Sequence, residues 1–256
     1  MIHIDKYAYM SKLNKKDPMY KFVVCMMTLA VCLWASSIFV SITVLLMMGW
    51  YTVYKGGIPL ALFLKLLAIP MSFLVIGVLT IAIGISEQQN VFLLYISAFG
   101  MNIGVSQAGI QNAVYLFFKA LGAVSCLYYL SLSTPVVDLL AVLRKLKVPK
   151  LMIELMGLVY RFIFILIETA DTIFIAQKSR LGYSNLFSAY KSLASLISTL
   201  FIRAYKKSDE LYTALEARGY DGELDVLEKS FKAHWSEYFF PVGINLFLVL
   251  VALFLK

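Results

Sequence analysis

The stretch that decides the fold is GIPLALFLKLLAIPMSFLVIGVLTIAIGIS, residues 57–86. Lys65 is its only charged residue, and most of the others are aliphatic or aromatic. A helix needs about 20 predominantly apolar residues to cross a bilayer, so this stretch predicts a membrane-spanning helix. Pro70 lies inside the stretch and predicts a kink, because proline has no backbone N–H to donate.

The composition of the whole chain agrees with that prediction. Of its 256 residues, 61% are hydrophobic and only 15% are charged, and the mean hydropathy is +0.81. A soluble globular domain is about half apolar and roughly a quarter charged. The chain is therefore predicted to be a membrane protein.

Three further apolar segments are candidates for spanning helices: residues 22–54, 113–132 and 239–255. The first of them is too long for one comfortable span and short for two. Residues 87–112, which separate two of the candidate spans, are more polar and contain several glycines, so they are interpreted as a loop outside the membrane.

The distribution of charge sets the number of crossings. Of the 23 Lys and Arg residues, 14 lie in residues 138–234, and five Lys lie in residues 1–21. Basic residues collect on the cytoplasmic side of membrane proteins, so both regions are predicted to be cytoplasmic. An even number of crossings must then separate them. This favours splitting residues 22–54 near Ser36 and Ser37 into two short helices, which gives five crossings in all.

The predicted fold class is an all-α, multi-pass integral membrane protein with about five transmembrane helices and a helical cytoplasmic region. The predicted domains are a cytoplasmic N-terminal segment (1–21), transmembrane helices 1–4 (22–134), cytoplasmic helices (135–238) and the last transmembrane helix (239–256). The net charge of +8 is explained by this topology, and no nucleic-acid recognition motif accompanies it.

Within the cytoplasmic region, residues 151–177 carry Glu154, Arg161 and Glu168 seven residues apart on an otherwise apolar helix. A polar stripe this narrow predicts burial on most sides, along the membrane face or against other helices. Residues 186–217 predict an amphipathic helix. Its apolar face is predicted to consist of Leu186, Tyr190, Leu193, Ile197, Leu200 and Ala204.

Two similar motifs punctuate this region. ALEARGYDG occupies residues 214–222, and AQKSRLGYS occupies residues 176–184, which is 38 residues earlier. Each is predicted to end a helix, with Gly219 or Gly182 in the left-handed conformation and Arg218 or Arg180 in the last turn. The arginine can serve as a simple helix cap or as a side chain gripped by a groove on another protein. Two similar tips predict two similar partners.

The chain resembles the transmembrane T component of energy-coupling-factor transporters. The resemblance is carried by SLSTPVVDLLAVLRKLKVPKL (131–151), LVYRFIFILIETADTIFIAQKSRLGY (158–183) and RAYKKSDELYTALEARGYDGEL (203–224). The opening IDKYAY (4–9) resembles the cobalt-type branch, the CbiQ proteins. The resemblance implies a non-catalytic scaffold in the cell membrane that couples two ATP-binding cassette ATPase subunits to a membrane substrate-binding (S) component.

In that family the two arginine-containing helix tips dock into grooves on the two ATPases. Carried over residue by residue, the implied ATPase-coupling residues are Ser179, Arg180, Leu181, Ala217, Arg218 and Gly219. The second tip matches the family's Ala-Arg-Gly pattern. The first departs from it, with Ser179 where alanine is commoner and Leu181 ahead of the glycine.

Absent motifs define the remaining expectations. The chain has no GxxxxGK(S/T) loop, so ATP is expected to bind only to the partner subunits. Its two histidines, His3 and His234, lie at opposite ends of the sequence and have no second ligand at i+3 or i+4. We therefore expect no metal site, no cofactor and no catalytic residue in this chain, and a metal cargo would be held by a separate membrane subunit.

Several alternatives remain open. A membrane enzyme could use Arg161, Glu168 and Asp171, although no nucleophile or phosphate-binding loop accompanies them. The cargo could be nickel or a vitamin, although IDKYAY favours cobalt and a role in cobalamin biosynthesis. Lys65 and Lys119 lie in apolar stretches and could be functional, although snorkelling from near a helix end is the simpler interpretation.

Overall fold

The computed structural model describes residues 3–35, 37–86, 92–98, 101–220 and 236–254. The chain divides into two compact units. One unit contains residues 2–139 and 230–256, and the other contains residues 140–229.

The helices, in chain order, are α1 (His3–Met10), α2 (Pro18–Trp34), α3 (Ile38–Trp50), α4 (Leu60–Ala82), α5 (Gln107–Ser133), α6 (Val136–Lys145), α7 (Lys150–Ser179), α8 (Leu186–Glu216) and α9 (Ser236–Phe254). A 3-10 turn (Lys12–Lys15) precedes α2, and a π-helical turn (Tyr51–Lys55) extends α3. Helix α2 begins earlier than residue 22 because Asp17 accepts a 2.9 Å hydrogen bond from the Met19 N–H and Pro18 occupies the first helical position.

The split of the first apolar segment is confirmed. Helix α2 ends at Trp34 and α3 begins at Ile38, and the flanking residues Ala35 and Ser37 have extended backbone angles. Ser36 lies outside the described residues. Non-helical backbone inside an apolar bundle needs hydrogen-bond partners, and the Tyr115 hydroxyl on α5 donates a 2.9 Å bond to the Ala35 carbonyl.

Helix α5 is at the centre of the unit that contains residues 2–139 and 230–256, where α1, α2, α3 and α4 all contact it. On α2, the Lys21 ammonium donates to the Ser133 carbonyl at 2.8 Å and the Cys25 thiol donates to the Cys126 carbonyl at 3.2 Å. Together with the bond between α5 and Ala35, these contacts run in opposite chain order along the two helices, so α2 lies antiparallel to α5. Lys21 is fully buried, and its charge complements the carbonyl end of α5.

Three of the described helices are long and apolar enough to cross a bilayer: Ile38–Lys55, Leu60–Ile81 and Gly109–Ser133. Pro18–Trp34 and Pro241–Leu253 are apolar but shorter. These five segments coincide with those predicted from the sequence, and the helical membrane fold class is confirmed, with one small sheet between α4 and α5. The orientation of the segments stays a prediction.

The interpretation of residues 87–112 as a loop is wrong for the part that is described, which lies in two strands and the start of α5, while its position outside the membrane stays a prediction. Strands β1 (Ile83–Ser86), β2 (Phe92–Ala98) and β3 (Met101–Ser106) form an antiparallel sheet in the order β1-β3-β2, with Ile85 opposite Ile103. Aromatic and β-branched residues favour this pleated arrangement. Residues 87–91, 99 and 100 lie outside the described residues.

The expectation that Lys119 lies near a helix end is also wrong. Helix α5 begins at Gln107 because the Ser106 hydroxyl accepts from the Gly109 N–H, which leaves Lys119 near the middle of the helix. Its ammonium donates a 2.7 Å hydrogen bond to the Tyr115 hydroxyl. Lys65, in contrast, lies close to the start of α4 and is exposed, as snorkelling requires.

In the other unit, α7 and α8 match the predicted helices to within two residues at each end. Pro149 immediately precedes α7, and Asn185 caps α8 by accepting a 2.8 Å hydrogen bond from the Ser188 N–H. Leu140 of α6 lies beside Gly157 of α7, where an added Cβ would sit 3.6 Å from the leucine side chain.

Most of the surface of α7 and α8 is not buried within this chain. Ile153 is the only residue of α7 that is buried among those described, and Leu196 is the only one of α8. Most of the predicted apolar face of α8, including Leu186 and Tyr190, is exposed. The prediction that other helices of this chain bury α7 on most sides is therefore wrong for the described residues. Only a narrow face of α7 and of α8 is buried. Contact with the membrane stays a prediction.

Candidate functional site

The first arginine motif forms the turn that closes α7. Arg180 directly follows the helix, and Leu181 has a positive φ of 59°. The Gly182 N–H donates to the Gln177 carbonyl at 2.9 Å, and the Leu181 N–H donates to the Lys178 carbonyl at 3.1 Å. These two bonds and the left-handed residue define a Schellman motif, which satisfies carbonyls that the helix end would otherwise leave unpaired.

The second arginine motif repeats this turn 38 residues later. Gly219 has a φ of 77°. The Tyr220 N–H donates to the Leu215 carbonyl and the Gly219 N–H to the Glu216 carbonyl, both at 3.0 Å. Each of these hydrogen bonds has a counterpart in the first motif, between residues whose numbers are lower by 38. Arg218 and Arg180 consequently occupy the same position, immediately before the left-handed residue.

The prediction that Gly182 is the left-handed residue is wrong, whereas the prediction for Gly219 is confirmed. The left-handed residue follows the arginine directly, and in the first motif that residue is Leu181. Gly182 is needed for space instead. A Cβ on it would lie 2.6 Å from the Ser192 hydroxyl oxygen and 2.9 Å from the Gln177 carbonyl oxygen, closer than real Cβ atoms approach.

A group of side-chain hydrogen bonds fastens the first tip, residues 177–184, to α8. The Gln177 amide donates to the Ser192 carbonyl at 2.9 Å and accepts from the Tyr183 hydroxyl at 2.9 Å. The Ser192 hydroxyl donates to the Gly182 carbonyl at 2.8 Å. The Tyr183 ring also packs on Phe174, with ring centroids 4.9 Å apart. We call Gln177, Tyr183 and Ser192 the staple.

Sequence reasoning missed the staple. Gln177 and Tyr183 lie inside the quoted motif, but Ser192 lies a full turn into the next helix. The bonds to the Ser192 and Gly182 carbonyls use backbone atoms, which every residue has, so no residue pattern indicates them. The available signal was a glutamine in the last turn of the helix with a tyrosine six residues later.

The second tip, residues 215–220, leaves open space around Gly219. An added Cβ on Gly219 would meet nothing within 4 Å. The adjacent side-chain interaction lies within α8 itself, where a hydrogen bond to the Glu216 carboxylate raises the pKa of the Tyr212 phenol. Both of these side chains are exposed, so this interaction does not attach the tip to another element.

Both arginine side chains are exposed. Among the described residues, neither guanidinium makes a hydrogen bond or an ion pair within the chain. A guanidinium offers five N–H donors in a planar fork that matches carboxylate and carbonyl acceptors. Each tip therefore presents an exposed cation with donors that suit acceptors on another protein. The flanking Ser179 and Ala217 are exposed as well, and the Ser179 hydroxyl donates to the Ile175 carbonyl at 3.0 Å.

The residues considered for an enzyme are not brought together as a site. Arg161, Glu168 and Asp171 are all exposed on α7, and the described part of the chain shows no ion pair or side-chain hydrogen bond among them. The described residues also contain no group of three potential metal ligands. His234 lies outside the described residues.

Fold and site together define a class: a multi-pass helical membrane protein with two helices that end in matching, arginine-bearing turns. Residues 10–229 match the model of the CbiQ family, described as cobalt transport protein. The chain belongs to this family.

Individual relatives agree with that assignment. The chain is 30% identical to the cobalt transport protein CbiQ of Salmonella typhimurium, over 87% of this chain and 99% of the relative. It is 28% identical to the energy-coupling factor transporter transmembrane protein EcfT of Lactococcus lactis, over 83% of this chain and 81% of the relative. An uncharacterised protein of Methanocaldococcus jannaschii is 32% identical, over 99% of this chain and 93% of the relative.

Proposed function

We propose that the chain is the transmembrane coupling subunit of an energy-coupling-factor type importer, driven by two ATP-binding cassette ATPases. The observation that carries the proposal is the repeated turn, which presents Arg180 and Arg218 at equivalent positions with the same backbone hydrogen bonds. Two equivalent cations suit two homologous partner grooves lined with acceptors. The similarity to EcfT, an energy-coupling factor transporter transmembrane protein, supports this assembly.

The two tips would serve as handles for the ATPases on the cytoplasmic side of the cell membrane. The chain has no phosphate-binding loop of its own, so the energy would come from ATP bound to the partners. Closure of the ATPase pair would move the two tips relative to each other. A ligand drives such a change only if its contacts differ between the two states, and a nucleotide-dependent gap between the ATPases provides that difference.

The exposed apolar faces of α7 and α8 would pass this motion to a membrane substrate-binding subunit. Large apolar side chains such as Ile175, Phe187 and Phe201 are exposed along them. A soluble monomer rarely leaves an apolar surface of this extent uncovered, and such surfaces mark contacts with proteins or membranes.

The proposed cargo is cobalt ion, on the strength of the family description and of the CbiQ relative. The selecting pocket would lie in the separate substrate-binding subunit, because the described residues contain no cluster of metal ligands. Uptake of nickel, cobalt and a vitamin measured side by side in the assembled transporter decides among the three cargoes.

Reversing the charge of each arginine tests the proposal. We expect Arg218→Glu to abolish ATP-dependent uptake by proteoliposomes that contain the complete transporter, and Arg180→Glu to have a similar effect, because a carboxylate repels an acceptor-lined groove. Arg203→Glu is the matched control, since Arg203 is an exposed arginine of α8 that lies eleven residues after Ser192 and twelve before Leu215, and it should transport normally.

Co-purification with the ATPases provides the second measurement. The arginine variants should be inserted and folded but should lose the ATPase subunits during affinity purification. If Arg218→Glu still co-purifies with active ATPases and transports at the normal rate, the proposed coupling role is wrong. A normal phenotype for Arg180→Glu alone would reduce the first tip to a helix cap.

A further inference from the structure

Leu181 is in an unfavourable backbone conformation at the first tip. Its φ of 59° lies in the left-handed region, where an L-residue with a bulky side chain is disfavoured by contact between Cβ and the following carbonyl. The equivalent residue of the second tip is Gly219, which has no Cβ and meets no such contact. Asparagine or glycine is the usual choice for a helix end of this type.

The strained conformation persists because the surrounding turn holds it from both sides. The Leu181 N–H is bonded to the Lys178 carbonyl, and Gly182 is bonded to Gln177 through its N–H and to Ser192 through its carbonyl. Strain of this kind is kept only where neighbouring interactions over-determine the backbone, and it concentrates at functional sites.

Burial of the side chain does not offset that strain. The Leu181 side chain is 74% exposed, so it gains little from burial. It lies next to Arg180, the cation that the first tip presents. Burial of the Leu181 side chain when the tip docks would offset the strain, since burying a leucine side chain is strongly favourable.

We propose that the partner surface for the first tip contains an apolar pocket that receives Leu181, next to the acidic acceptor that binds Arg180. The corresponding surface for the second tip would bind Arg218 without such a pocket, because Gly219 has no side chain to fill one. The two tips are then not interchangeable. This inference rests on the proposed function, and its occupant is one ATPase subunit of the transporter.

Leu181→Asn tests the inference, because asparagine tolerates the left-handed conformation and is polar. We expect the affinity of the detergent-solubilised chain for the ATPase pair of the same organism to fall about tenfold, the loss expected for an unfilled leucine pocket. The Tm of the chain alone should rise by about 2 °C, because strain is relieved. A residue with a purely structural role would not give opposite signs in the two measurements.

Leu186→Asn is the matched control. Leu186 is 81% exposed but helical, so its replacement removes a similar apolar side chain without a change in backbone strain. We expect ATPase affinity to change less than about twofold, well under the tenfold loss that an unfilled leucine pocket causes. An equal loss for both variants would show a general effect of apolar surface and overturn the inference.

The remaining outcomes separate this inference from the proposed function. If the two arginine reversals abolish ATPase binding while Leu181→Asn binds normally, the proposal of an apolar pocket is wrong and the proposed coupling role is still supported. Normal binding by Leu181→Asn in detergent is also the result expected if Leu181 contacts lipid. If Leu181→Asn lowers the Tm, the leucine stabilises the chain itself and the inference fails. If the arginine reversals bind normally, the proposed function fails first.

Discussion

The two helix tips share one backbone turn but differ in how they are supported. The first tip carries a strained leucine and is fastened to α8 by the staple. The second tip has a glycine at the same position, and open space surrounds the place where its Cβ would be. The comparison shows that a repeated motif can supply the same geometry by two routes: one tip is held by its surroundings, and the other by the intrinsic freedom of glycine.

The largest effect that should separate the tips comes from adding one methyl group to a glycine of the first. Gly182→Ala places a Cβ against the Ser192 hydroxyl and the Gln177 carbonyl, so the turn must open or shift. We expect the free energy of local opening to fall by about 2 kcal/mol, as in other overpacked sites. Hydrogen–deuterium exchange of the peptide that covers residues 177–185 measures this change.

Gly219→Ala is the counterpart at the second tip. Its Cβ meets no atom, so only the left-handed backbone opposes it, and the expected loss is about 1 kcal/mol. Equal effects at the two glycines would contradict the assignment of Gly182 to close packing and of Gly219 to backbone conformation.

A smaller effect on the free energy of local opening is expected when the hydrogen bonds of Gln177 in the staple are removed. Gln177→Leu keeps the size of the side chain but removes the donor to the Ser192 carbonyl and the acceptor for the Tyr183 hydroxyl. We expect exchange at the first tip to accelerate by an amount that corresponds to about 1 kcal/mol, with no change at the second. Tyr183→Phe, which loses one of those bonds and keeps the ring contact with Phe174, should have a weaker effect.

The smallest expected effect is the titration of Tyr212 beside the second tip. The Glu216 carboxylate accepts a hydrogen bond from the neutral phenol, so the pKa of Tyr212 is raised and the phenol ionises at higher pH than in the unfolded chain. The stabilisation is present below the unfolded pKa and is lost as pH rises through the folded value. Glu216→Gln should lower the pKa measured by NMR, and an unchanged value would contradict the interaction.

Much of the fold could be predicted because its signals are local. Helix α8 was predicted over residues 186–217 and runs from Leu186 to Glu216. The break between α2 and α3 was predicted from the even number of crossings that the two basic regions require, and two serines in the apolar segment marked its place. Apolar length, helical periodicity and end residues are all properties of neighbouring positions, so the sequence displays them directly.

The errors share the opposite property. The sheet requires β3 to pair with β1 and β2 in a fixed register, which is an interaction between separate segments. The left-handed residue of the first tip was predicted to be Gly182 because glycine is the usual residue there. The hydrogen bonds of the turn instead place Leu181, one residue earlier, in that conformation. The apolar face of α8 was predicted from spacing alone, and spacing does not show that most of its side chains are exposed in this chain.

By itself, then, the sequence determined a membrane chain of apolar helices, a charged helical region and two arginine motifs 38 residues apart. Only the tertiary structure decided that both motifs adopt one turn, that Leu181 bears the strain, and that Ser192 helps to hold it. The physical reason is that composition and period act along the chain, whereas the conformation of a helix end depends on which backbone groups find partners after packing.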